Sequence, residues 1–137
     1  MRIIRGLTNL PKFPYGCILA IGNFDSVHLG HQRIIKQLIH ESTARSLPSV
    51  VMVFEPQPVE FFRGYKASVR LSSFRAKAEM FRALGVDFIF VVHFTKKFAN
   101  LTPDQFIEKY LIKGLQAKYI TVGDDFHGNE GELLGCY

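Results

Sequence analysis

His28 and His31 stand on either side of Leu29-Gly30, and Asp25 precedes His28 by three residues. A near-neutral imidazole donates a hydrogen bond without a large permanent charge. A glycine has no Cβ, so a ligand can come close to its backbone. A helical pattern begins at His31. A helix start offers free N–H groups and the positive end of a dipole, which favour anions such as phosphate. This combination points to a nucleotide phosphate site. Short histidine pairs also bind metals, but a third ligand is not obvious and no cysteine is close in sequence. Neither G-x-x-x-x-G-K-[ST] nor G-x-G-x-x-G occurs in the chain, so neither a P-loop nor a dinucleotide fingerprint accounts for the loop.

The elements around this loop set its position. Cys17 to Ile21 is an unbroken apolar run and ends at Gly22. Such runs suit central parallel strands covered on both faces. Ile34, Ile35, Leu38 and Ile39 form one helical stripe that fades near Arg45. Ser49 to Phe54 reads as the next buried strand and stops at Pro56-Gln57-Pro58, which forbids its continuation. Val59 to Phe62 reads as a brief helical turn. Ser72 or Ser73 is suited to cap a helix whose Phe74, Ala78, Met80, Phe81 and Leu84 face the core, with Gly85 ending it. Val86 to Val92 is a third buried strand. Thr102-Pro103-Asp104-Gln105 is a capping box with proline at the first helical position; that helix runs to about Ile112 and Gly114 ends it. Tyr119 to Val122 is a fourth buried strand, and Arg2 to Arg5 a short edge strand. Strands alternating with helices predict an α/β, Rossmann-like parallel sheet flanked by helices. Ligands in such sheets lie beyond the carboxyl ends of the strands. The loops there begin at Gly22, Glu55 and Gly123.

Composition narrows the partners. The chain has 137 residues, 47% of them apolar, with 13 Phe and no Trp, enough to bury a core without staples. The formal charge of +5 suits anionic ligands. The basic residues are scattered, and basic and aromatic residues are not interleaved as a stacking platform for nucleic acid requires. A phosphate-bearing small molecule is therefore favoured over nucleic acid. No apolar run reaches the ~18 residues that span a membrane, and no charged-then-apolar leader is present. With Cys17 read as a small buried residue, the expectation is a reduced, cytoplasmic chain.

The stretch Gly22-Asn23-Phe24-Asp25-Ser26-Val27-His28-Leu29-Gly30-His31 resembles the G-x-F-D-x-x-H-x-G-H signature of the HxGH nucleotidyltransferase superfamily. Phe54-Glu55-Pro56-Gln57-Pro58-Val59-Glu60-Phe61-Phe62 and Val122-Gly123-Asp124-Asp125-Phe126 narrow the likeness. They are similar to the adenylyltransferase module of bacterial bifunctional riboflavin kinase/FMN adenylyltransferase, or FAD synthetase. The resemblance implies that ATP and FMN give FAD and pyrophosphate, with Mg²⁺ accompanying ATP. It implies that His28 and His31 contact the ATP phosphates and act in catalysis. Gly22, Asn23, Phe24, Asp25 and Gly30 would shape the nucleotide loop. Pro56, Pro58 and Phe62 would form the rim of the flavin site, and Asp125 and Phe126 would line the cleft. Phe61 reads as core.

Three departures qualify the match. Ser26 stands where the family usually has glycine. Asp125-Phe126-His127-Gly128 lacks the second aromatic of the family's last motif. The family's I-S-S-T-x-x-R motif does not occur in the 137 residues. The expected organisation is a partial FMN adenylyltransferase domain over residues 1–128, incomplete at its C-terminus. An unrecognised tail follows over 129–137, without the riboflavin kinase domain. Weak nucleotide binding and little adenylyl transfer are expected, and an uncovered sheet edge leaves room for self-association. A catalytically silent nucleotide- or flavin-binding remnant is the alternative. An HxGH transferase with another acceptor is disfavoured by the Pro56-Gln57-Pro58 loop.

Overall fold

A computed structural model describes residues 1–24, 29–55 and 74–123, with the backbone alone for 29–31. Its centre is a five-stranded sheet: β1 (Arg2–Arg5), β2 (Cys17–Ile21), β3 (Ser49–Glu55), β4 (Phe88–His93) and β5 (Ala117–Val122). The strand order is β1-β4-β3-β2-β5, and every pairing is parallel. Helix α1 (Leu29–Arg45) joins β2 to β3, and α2 (Phe74–Leu84) leads into β4. Between β4 and β5 lie α3 (Lys96–Ala99), α4 (Pro103–Phe106) and π-helical turns over Ile107–Gly114.

Alternation along the strands divides the core into two. Cys17, Leu19 and Ile21 of β2 and Val50, Met52 and Phe54 of β3 pack with Phe98, Phe106, Leu111 and Leu115. Ile18, Ala20, Val51 and Val53 face the other way, onto Ile35 and Leu38 of α1 and Met80 and Phe81 of α2. The sheet is therefore covered on both sides, which is why β2 is buried along its whole length. The connections β2-α1-β3 and β3-α2-β4 advance in one direction and the connection into β5 returns in the other. Right-handed crossovers place such helices on opposite faces. At the lower ends of β3 and β4 the Asp87 carboxylate accepts from the Ser49 N–H (2.9 Å) and hydroxyl (3.2 Å). The Ser49 Oγ in turn accepts from the Asp87 N–H at 2.9 Å, which pins the register of the pair.

Both predicted helix stops and the capping box are present. Thr102 Oγ1 accepts from Gln105 N–H, and the Gln105 side chain accepts from Thr102 N–H. Helix α2 ends in a Schellman motif: Val86 N–H donates to Phe81 O (3.0 Å) and Gly85 N–H to Arg82 O (3.1 Å). Gly85 holds φ +96° there, and an added Cβ would meet nothing within 4 Å. The cost of Gly85→Ala is thus backbone strain alone, about 1 kcal/mol. A thermal melt should show a Tm lower by roughly 3–5 °C.

Several boundaries differ from expectation. Helix α1 begins at Leu29 instead of His31, and β4 at Phe88 instead of Val86. The single helix expected over 102–112 is one α-turn followed by π turns, closed by Leu115 N–H donating to Tyr110 O at 2.9 Å. The wider period brings Phe106, Tyr110, Leu111 and Leu115 to one face, against an aromatic cluster with Phe98 (5.8 Å from Phe106, 5.4 Å from Tyr110). The fourth strand was expected to be buried; β5 is mostly half-exposed, because among the described residues it lies at a sheet edge. The expected cap at Ser72 or Ser73 and the turn over Val59 to Phe62 lie outside the described residues.

Candidate functional site

The strand order reverses at β2. From β2 the chain moves to β3 and then β4, and β5 returns to the opposite side of β2. The carboxyl ends of β2 and β5 thus flank a topological switch point, where open parallel sheets bind ligands. Two hydrogen bonds fix its floor: Gly123 N–H donates to Ile21 O at 2.7 Å, and Gly22 N–H donates to Met52 O at 3.2 Å. The motif loop leaves β2 at this point and enters α1.

The first residues of the loop are built into the core. Phe24 is fully buried, with its ring edge-on to Phe81 of α2 at 5.5 Å. Its φ is +48°, a left-handed conformation that a bulky side chain adopts only when its surroundings hold it there. The ring folds back over Gly22, where a Cβ would come within 2.9 Å of Phe24 Cε2. Glycine is therefore required at position 22 by close approach. Asn23, between them, is also buried. Phe24 is thus packed into the core against Gly22.

A lysine that the sequence pattern does not flag completes this support. Lys77 on α2 is 0% exposed, and its Nζ donates to Asn23 O at 2.7 Å. The signal was faint: a lysine one turn before Phe81 on the apolar face of an amphipathic helix reads as a solvated stem.

The remaining expected site residues are only partly within view. Gly30 and His31 lie in the first turn of α1, and the His31 side chain is outside the described residues. Asp25, His28, Pro56, Pro58, Phe62, Asp125 and Phe126 also lie outside them. The structure therefore brings together Gly22, Asn23 and Phe24, and starts α1 within the motif, at Leu29. Glu55 and His93 end neighbouring strands on the same side of the sheet, with His93 Nδ1 3.2 Å from Glu55 O. Among the described residues no cluster of three or more His, Cys, Asp or Glu could hold a metal ion. Cys17 is buried, and burial pushes its thiol up to about 12, so it is no nucleophile. One groove of about 560 Å³ lies at the opposite end of the sheet, lined by Phe13, Tyr15, Arg45, Pro48 and Phe88. It is remote from the motif loop.

Comparison with known proteins identifies the family. Residues 10–133 match the family model for FAD synthetase. The bifunctional riboflavin kinase/FMN adenylyltransferase of Escherichia coli K12 is 46% identical over 138 aligned residues, covering 98% of this chain and 44% of that protein. The protein of the same description from Haemophilus influenzae is 42% identical, covering 92% and 41%. The chain thus spans less than half the length of these curated relatives. Among solved structures, that of a macrolide-efflux protein from Streptococcus pneumoniae superposes with a TM-score of 0.78 at 25% identity, over 98% of this chain and 46% of that one. The shared feature is the fold; among the described residues no helix is long and apolar enough to cross a membrane.

Proposed function

The chain belongs to the FAD synthetase family, and from that membership we propose that it is an FMN adenylyltransferase module, transferring the adenylyl group of ATP to FMN to give FAD and pyrophosphate. The observation that carries the reading is the passage of the HxGH motif from β2 into α1 at the switch point of the sheet. The substrate phosphates would lie over the first turn of α1, where N–H groups and the helix dipole favour negative charge.

The chemistry asks for no side-chain nucleophile. An oxygen of the FMN phosphate attacks the α-phosphorus of ATP, a new P–O bond forms, and the bond to the β-phosphate oxygen breaks. Charge builds on the α-phosphate oxygens and on the departing pyrophosphate. Positioning and charge stabilisation do most of the work in such transfers. His28 and His31 donate to these oxygens, and Gly30 lets them approach the backbone. Gly22, Asn23, Phe24 and Asp25 hold the loop's shape. Pro56, Pro58 and Phe62 border the flavin, and Asp125 and Phe126 line the cleft. Mg²⁺ enters with ATP as part of that substrate. The setting is the cytoplasm, in keeping with a buried, reduced Cys17.

The test is to titrate ATP and FMN against the chain and then to follow FAD. Both substrates should bind. FAD should then form from the two bound substrates. Binding of both without any FAD would favour the catalytically silent module, and binding of neither would remove the assignment.

A further inference from the structure

We propose that Lys77 is a positioning residue for the nucleotide site, reaching it from helix α2 through the Asn23 peptide. The inference rests on the reading of the motif loop as the ATP phosphate site. Its own observations are separate from that reading. Lys77 is 0% exposed, and burial of an ammonium is costly unless its protons find acceptors. One acceptor is the main-chain oxygen of Asn23, at 2.7 Å and 54 residues away in sequence. Phe81 stands one turn further along α2 and packs edge-on to Phe24 at 5.5 Å. Residues four apart share a helix face. Helix α2 therefore grips two successive residues of the loop, one by its carbonyl and one by its ring.

The grip has a directional consequence. A trans peptide is planar, with its C=O and N–H pointing opposite ways. Drawing Asn23 O toward α2 turns the Phe24 N–H away from that helix. It also fixes the plane from which Phe24 enters its left-handed conformation at φ +48°. Phe24 is the last described residue before the two motif histidines, so that plane sets the direction in which the chain leaves the core. A hydrophobic side chain at position 77 would fill the same space but give up the hydrogen bond to Asn23 O. The core would survive, and the loop's alignment would be lost.

The experiment compares the chain with its Lys77→Met and Lys77→Gln variants by thermal melting, by titration with MgATP and with FMN, and by the amide NMR shifts of Gly22 to Phe24. Lys77→Met should fold, weaken ATP at least tenfold, leave FMN affinity within twofold, and move the loop amides while those of β3 and β4 stay in place. Lys77→Gln is one bond shorter and should behave alike. Unchanged ATP affinity with unmoved loop amides would overturn the proposal. So would an equal loss of ATP and FMN affinity, or failure of both variants to fold, since either assigns Lys77 to general stability. Should the unmodified chain bind no ATP, the functional reading fails, and the loop amides alone decide: displaced in the variant, the grip is real; unmoved, it is not.

Discussion

Replacing His31 by alanine should lower FAD formation by about 10²–10³, the loss typical when one preorganised donor is removed from a developing oxyanion, equivalent to roughly 2.7–4 kcal/mol of barrier. His31 is in the first turn of α1, where the helix dipole and backbone N–H groups already favour phosphate. The backbone contribution persists in the variant, so ATP affinity should fall only a few-fold while turnover collapses. That split is what an interaction made mainly in the transition state produces. Parallel assays of FAD release and ATP binding check it. Equal rates for the two proteins would remove His31 from the mechanism.

The second large effect is on stability. Phe24→Ala should destabilise the chain by about 3–5 kcal/mol, the usual range for emptying a buried phenyl site. For a domain of this size the Tm should fall by roughly 10–20 °C. The ring is fully buried and meets Phe81, while the backbone holds φ +48°. Alanine loses the ring and keeps the strain. Phe24→Gly loses the same ring but relieves the strain, so it should be the more stable of the two by about 1 kcal/mol. Urea titration of both variants settles the order. A loss under 1 kcal/mol for Phe24→Ala would mean that the ring is not packed as described.

The sheet was largely legible in the sequence because its central strands announce themselves. Cys17 to Ile21 and Ser49 to Phe54 have no polar face, and only a doubly covered parallel strand suits such a run. The capping box at Thr102 and the stop at Gly85 were legible because each is a local hydrogen-bonding device with fixed residue types. The π turns after Phe106 were not, since α and π periods place the same Phe106, Tyr110 and Leu111 on one face and part company only at Leu115. The exposure of β5 was not either: Tyr119 to Val122 is as apolar as an inner strand, and edge position depends on neighbours.

At the site, the motif from Gly22 to His31 could be read directly, because glycine, histidine and a helix start carry chemistry in their identities. The support beneath it could not. A left-handed phenylalanine breaks the rule that reserves such φ values for glycine and asparagine. A lysine on an apolar face looks like surface until its acceptor, Asn23 O, is known. Both are long-range facts, settled by what α2 brings against the loop.

The pairing of β1 implies an order of assembly. Arg2 to Arg5 precede every other strand of the sheet in the chain, yet their partners are Phe88 to Val91. This strand therefore has no partner in the sheet until the chain has been made as far as β4. Contacts so distant along the chain are slow to close, and domains generally fold as they emerge. Until β4 exists, Ile4, the one buried residue of β1, has no core to enter.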